Sequence, residues 1–527
     1  MKFLKDRKLK PGFSKSLSVL FLGAVLLHST LPETRAEVKL ATLFGDHMVL
    51  QRGIEIPVWG WADQGEKVTL SLNGQMVSVK PDKNGKWIAR LAPMDAGGPY
   101  EMNIQGENKI IFKDILIGDV WLCGGQSNME MPVKGWPGQP VLNSGREIQE
   151  ANYPNIRLIT VDRKISFRPM ENIESSGWAS AIGTNIADFS AVGYFFGKKV
   201  HQDQDIPVGL ISVNWGGTVC ETWTSAESLK EDPDFGQIID EMDKPEQTVD
   251  DYTEEISKQY DQWLQNVKNN DEGLKKRILG PNSRPTLLFN GMLHPLIPFG
   301  IKGAIWYQGE ANASRAYQYR RLFPLMINDW RKHWNQGDFP FLFVQLASFK
   351  PVNENPVESD WAELREAQLM ALSLRNTGMA VAIDIGEANS IHPANKEEVG
   401  RRLALAAKKN VYKQNVVYSG PIYQSMEVAG NEIRITFSQT GSGLVAKDKY
   451  GYLRGFIIAG EDRTFHWAKA RVEGNSVIVY HPSIQHPVAV RYAWSDNPDD
   501  ANLNNREGLP ASPFRTDNWP GITEGMK

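Results

Sequence analysis

The chain opens on a basic stretch that includes Lys2, Lys5, Arg7, Lys8, Lys10 and Lys15, followed by an apolar run over residues 17–27. Thr34-Arg35-Ala36 then places small residues where a leader would be cut. This order predicts a signal peptide over residues 1–36 and a secreted or periplasmic product. The apolar run falls short of the roughly 18 residues that mark a spanning helix, so no membrane span is expected.

From residue 37 to 118 the pattern has period two. Lys67-Val68-Thr69-Leu70-Ser71-Leu72 alternates, Asn73-Gly74 interrupts, and Met76-Val77-Ser78-Val79 resumes. An Asn-Gly pair between alternating runs predicts a hairpin, and Asn84-Gly85 repeats the pattern. The segment reads as an N-terminal β-sandwich.

From 119 to 414 the texture changes. Short apolar runs at 120–123, 156–160, 208–213, 304–307, 341–346 and 380–384 alternate with helical patterns at 191–200, 317–334, 361–374 and 396–408. Alternating β and α units predict a parallel sheet covered by helices on both faces. In such sheets ligands bind at the carboxyl ends of the strands. A charge-rich stretch at about 227–276 reads as a helical insertion, either a surface helix or a substrate lid. Within it Tyr252, Ile256, Tyr260, Trp263 and Leu264 fall at 3–4 spacing. From 415 to 527 the alternation returns, as in Ile433-Arg434-Ile435-Thr436-Phe437 and Val477-Ile478-Val479-Tyr480, and predicts a C-terminal β domain.

Composition narrows the function classes. With 58 Lys+Arg against 62 Asp+Glu the formal charge is −4, which offers no basic face for nucleic acid. The 16 Trp suit a large core as well as a sugar-binding surface. Cys123 and Cys220 exclude a disulfide scaffold and read as two buried thiols.

Candidate chemistry sits at four predicted strand ends. Gly124-Gly125-Gln126-Ser127-Asn128-Met129 follows the first strand. A Ser in that turn is a nucleophile if a base reaches its hydroxyl, and otherwise a helix cap. Asn214-Trp215-Gly216-Gly217-Thr218 offers glycine N–H groups to an oxyanion, or makes an ordinary turn. Trp306-Tyr307-Gln308-Gly309-Glu310-Ala311-Asn312 brings two side-chain amides and a carboxylate to a third strand end. Ile391-His392-Pro393 supplies a histidine whose ordinary pKa lies near neutrality. His294 is its rival, being the other histidine near a motif loop. No His-Glu-x-x-His or Cys-x-x-Cys occurs, so no metal is implied. Together the motifs supply a nucleophile, a base and oxyanion donors, the parts of an acyl-transfer site.

This set of motifs resembles the sialate O-acetylesterases of the SGNH (GDSL-like) hydrolase superfamily. Arg491-Tyr492-Ala493-Trp494 and Glu507-Gly508-Leu509-Pro510-Ala511-Ser512-Pro513-Phe514-Arg515 are similar too. The resemblance implies an α/β, flavodoxin-like three-layer core with flanking all-β sandwich domains, ester hydrolysis and no cofactor. It makes Ser127 the nucleophile and His392 the base. Gly217 becomes an oxyanion donor, with Gly216 its alternative. Asn312, or else Gln308, becomes the side-chain donor. Many members carry Asp three residues before the histidine, but here Asn389 stands there. Asp384 is the first candidate to orient His392, ahead of Glu387 or a backbone carbonyl near Asn389 or Ser390.

The expectation is a secreted carbohydrate O-acetylesterase acting on acetylated sialic acids through an acyl-enzyme. An acetylated polysaccharide such as xylan is the alternative substrate. A non-catalytic carbohydrate-binding protein is the alternative class.

Overall fold

A computed structural model describes residues 37–242, 248–268 and 280–527. The predicted signal peptide lies outside them. Residues 37–527 form one compact unit.

The N-terminal strands build two small sheets. In one, Val68–Leu72 pairs with Gln75–Val79 across Asn73-Gly74. Both turn residues have positive φ, 46° and 77°, the backbone that a two-residue hairpin requires. The predicted boundary at 118 falls inside a strand. β1, Lys109–Gly125, pairs with Gly97–Gln105 in its first half and enters the central sheet in its second. Its burial changes from alternating to continuous along the way, because the second half is covered on both faces. Buried Asp119 braces the junction. It accepts from Arg52 Nε at 2.8 Å and from the Tyr412 hydroxyl at 2.9 Å.

The central sheet also contains β2 (Asn152–Thr160), β3 (Val208–Asn214), β4 (Gly303–Tyr307), β5 (Phe341–Val344) and β6 (Thr377–Ala380). These strands are parallel in the order β2-β3-β1-β4-β5-β6, and Ala179–Ile182 adds an antiparallel strand outside β2. With β2 left out, the other five parallel strands run 2-1-3-4-5 in chain order. The apolar run at 380–384, read as a strand, extends only one residue into β6. Residues 381–384 lie outside the strand and enter a turn at 383–384.

Helices α1 (Ala191–Gln204), α2 (Ala316–Trp334), α3 (Asp360–Met370) and α4 (Lys396–Asn410) follow the predicted patterns. α1 packs on α4, and α2 on α3. A Cβ on Gly400 would lie 2.7 Å from that of Phe195, so the first pair crosses closely only because glycine stands there. Residues Val249–Lys268 form a helix within the expected insertion. The side chains of Tyr252, Tyr260, Trp263 and Leu264, which carry its apolar stripe, lie outside the described residues.

The C-terminal residues form three further small sheets. Fully buried Arg365 of α3 fastens them to the core by donating to the carbonyls of Leu346, Ala347, Ser495 and Asp496.

Candidate active site

Strand register brings three of the four motifs to one level. Gly125 at the end of β1 pairs with Asn214 on one side and Tyr307 on the other. The three loops that follow therefore leave adjacent strands together. Gly125 has φ +140°, and a Cβ there would lie 2.2 Å from the Tyr307 carbonyl oxygen. Only glycine allows the turn that presents Ser127.

Ser127 begins a single helical turn, Ser127–Glu130. Its Oγ lies 2.8 Å from His392 Nε2. His392 Nδ1 lies 2.7 Å from Gln139 Oε1. A carbonyl oxygen only accepts, so Nδ1 carries the proton and Nε2 is left to accept from the serine. Burial, and then the nearby charge of Lys396, pull the His392 pKa down to about 4. Trp136 and the imidazole meet in a T-shaped contact with ring centroids 5.1 Å apart.

Asp384 does not orient His392, and that expectation is corrected. Its carboxylate takes two hydrogen bonds from Arg402 of α4, at 2.6 and 2.8 Å. Arg402 also binds the Val381 carbonyl. Residues 381–384 lie beyond the end of β6, and both Val381 and Asp384 are held by Arg402 of α4. Glu387 instead accepts the Ala394 N–H at 2.7 Å and braces the His392 loop from within. His294 is engaged elsewhere, with its Nδ1 on the Met170 carbonyl at 2.8 Å.

Sequence reasoning passed over Gln139. Its signal was the dipeptide Pro137-Gly138. Proline suits the first central position of a type II turn, and Gly138 has the φ of +74° that the second requires. Trp136 and Gln139 close the turn with reciprocal backbone bonds of 2.9 Å. One turn thus aims both side chains at the histidine.

The glycine loop faces Ser127 from β3. A Cβ on Gly216 would lie 3.3 Å from that of Ser127 and 2.9 Å from Glu130 Oε2. The Gly216 N–H is occupied, donating to Glu130 Oε2 at 2.5 Å. Glu130 is paired in turn with Arg163, whose guanidinium lies over Trp215. The N–H of exposed Gly217 makes no hydrogen bond among the described residues.

Gln308 and Asn312 are both buried and hydrogen-bonded to each other. The Gln308 amide nitrogen gives both hydrogens away, to the Thr218 carbonyl at 3.2 Å and Asn312 Oδ1 at 2.6 Å. Asn312 spends one amide hydrogen on Glu221 Oε2 at 3.0 Å, and its oxygen also accepts from the Cys220 N–H. Asn312 therefore keeps an unspent N–H and Gln308 does not. Cys123 and Cys220 are free, buried thiols, and burial pushes the pKa of both upward.

The arrangement invites comparison with known proteins. A family model described as a carbohydrate esterase, sialic acid-specific acetylesterase, matches residues 290–409. The chain is 30% identical to the sialate O-acetylesterase of Mus musculus over 533 residues, which span 90% of this chain and 94% of that protein. The chain belongs to the sialate O-acetylesterase family. The sialate O-acetylesterase of Homo sapiens is 29% identical, over 92% of this chain and 94% of that one. The crystal structure of a carbohydrate acetylesterase from Xanthomonas citri shares 39% identity at a TM-score of 0.79, covering 92% of this chain and 100% of that one. The protein is accordingly a carboxylic ester hydrolase rather than a binding module.

Proposed function

We propose that the protein removes O-acetyl groups from sialic acids through an acyl-enzyme on Ser127. The observation that carries this reading is the 2.8 Å contact from Ser127 Oγ to His392 Nε2, with Nδ1 of the same ring on Gln139. Ser127 attacks the acetyl carbonyl while its proton passes to Nε2. The tetrahedral oxyanion is held by the N–H groups of Ser127 and Gly217 and by the remaining amide hydrogen of Asn312. When the intermediate collapses, the carbon–oxygen bond to the sugar breaks and Nε2 returns the proton to that oxygen. Water then repeats the sequence on the acyl-enzyme, which releases acetate and restores Ser127.

Gln139 fixes the tautomer of His392 without contributing a charge. The 2-1-3-4-5 order of the parallel strands other than β2 supports assigning the core to the flavodoxin-like class, within the SGNH hydrolases. The basic, apolar and small-residue succession of residues 1–36 supports export.

A second substrate reading has an observation of its own. The cleft beside the site is lined by Trp136, Lys134, Arg163, Glu130, Asp162 and Asp188, among others. Both cations are already paired, Lys134 with Asp188 and Arg163 with Glu130. Three carboxylates against two cations favour a neutral acetylated sugar, stacked on Trp136, over an anionic one.

Acetate release from O-acetylated sialic acids and from acetylated polysaccharides, assayed side by side, decides between the two. Ser127→Ala tests the mechanism on either substrate. Loss of the nucleophile is expected to lower kcat by roughly 10³-fold or more while the fold is kept. Activity within a few-fold of the parent would remove Ser127 from the reaction.

A further inference from the structure

Behind the Ser127 turn lies a buried charged cluster with no part in the steps above. Lys396 is the first residue of α4 and is fully buried. Burial and the positive end of a helix both oppose a cation there. Its ammonium donates to Asn128 Oδ1 and sits 5.7 Å from the centre of the Tyr307 ring. Asn128 is itself 1% exposed, and its amide nitrogen donates in two directions. One bond reaches Glu310 Oε1 at 2.6 Å, and the other the Ile391 carbonyl at 2.9 Å. The second oxygen of Glu310 is buried with no partner among the described residues.

We infer that Lys396 is a positioning residue for ester cleavage: through Asn128 it ties the Ser127 turn to the His392 loop and to Glu310. This rests on the Ser127–His392 reading above. A cation can meet only the oxygen of the Asn128 amide. The nitrogen must then face Glu310 and the Ile391 carbonyl, one residue before His392. Asn128 directly follows Ser127, so a single amide couples the two catalytic loops. Lys396 and Glu310 also balance each other's charge in a site that would otherwise bury one of them alone.

The same charge acts on His392. The groups facing this cluster are Glu310 from the loop after β4, Glu387 from the His392 loop, Tyr307 of β4 and His392 itself. Burial pulls Lys396 down to about 7, against the opposing charges of Glu310 and Glu387. While it is charged, Lys396 opposes protonation of His392 and extends activity toward acid.

The test measures kcat, KM and the pH profile of p-nitrophenyl acetate hydrolysis for Lys396→Met, Lys396→Gln and Glu310→Gln, with thermal unfolding alongside. Lys396→Met is expected to lower kcat by roughly 10²-fold with KM little changed, since small misplacements of reacting groups cost about that much. Its acid limb should move up from about 4 by part of the gap to the ordinary histidine value of about 6.5, since burial, the larger cause, remains. Lys396→Gln can still donate to Asn128, so it should recover much of kcat while keeping the displaced limb. Glu310→Gln preserves the hydrogen bond but removes a charge that favours the Lys396 cation; at the acid limb, near 4, Lys396 is still charged, so the limb should stay at or below its original place. If Lys396→Met fails to fold, Lys396→Gln and Glu310→Gln carry the test. A folded Lys396→Gln with an unmoved acid limb, or a folded Lys396→Met with parental kcat, overturns the inference. Loss of activity in Ser127→Ala beside unaffected Lys396 variants would refute this role alone and leave the Ser127–His392 reading standing.

Discussion

The side-chain carbonyl of Gln139 lies 2.7 Å from Nδ1 of His392, although 253 residues separate them in the chain. The imidazole proposed as the base is thus oriented by a neutral group. A hydrogen bond to a histidine that gains charge in the transition state is worth about 1.5–3 kcal/mol. Gln139→Ala is therefore expected to lower kcat by roughly 10- to 100-fold, with KM little changed. Gln139→Glu would place a carboxylate beside the ring, favour the imidazolium and move the acid limb of activity upward. Steady-state kinetics across the pH range check both, and a parental profile for Gln139→Glu would show that the contact is not made in solution.

Asp384 has a structural role. Its carboxylate is only 19% exposed and faces Arg402, which is 5% exposed. Asp384→Asn should retain near-parental kcat and lose stability, by about 1–3 kcal/mol for weakened hydrogen bonds to a charged group. Chemical denaturation and acetate release, measured on the same preparation, separate the two effects. A large fall in kcat with unchanged stability would return Asp384 to the mechanism.

The pH dependence follows from the sign of the His392 shift. Its pKa in the folded protein is depressed to about 4, below the ordinary 6.5, by burial and then by Lys396. In the proposed mechanism the neutral ring is the base, so activity is expected above about pH 4 and is expected to fail as the pH falls through it. The unfolded chain binds this proton from about 6.5 downward. The contribution of His392 to stability therefore declines between those two values as the pH falls. An acid limb in kcat/KM near 6.5 would contradict the buried environment described for the ring.

The two amides of the third motif should separate kinetically. Asn312→Ala removes the side chain proposed as an oxyanion donor and is expected to cut kcat by roughly 10²-fold without raising KM. Gln308 acts through Asn312, so Gln308→Ala should cost stability as well as rate. If Asn312→Ala raises only KM, the amide binds the substrate in its ground state.

Much of this architecture was legible in the residue pattern, for a local reason. The Asn73-Gly74 turn, the continuous apolar strands and the α4 pattern depend on neighbours a few positions apart. Ser127, Gly216, Gly217, Asn312 and His392 were visible because each lies just after a strand or just before a helix, where parallel sheets collect their chemistry. Tertiary structure decided what those residues touch. Beyond the end of β6 at Ala380, Asp384 meets Arg402, a contact made by packing against α4 rather than by any local signal. Gln139 reached His392 because a Pro-Gly turn in a loop remote in sequence folds over the site, and spacing along the chain carries no record of that approach. The buried Lys396 reads in sequence as one more charge at the start of a helix. Only the packed core places it between the Ser127 turn and the His392 loop, because burial removes the water that would otherwise satisfy its ammonium and leaves the Asn128 amide to do so.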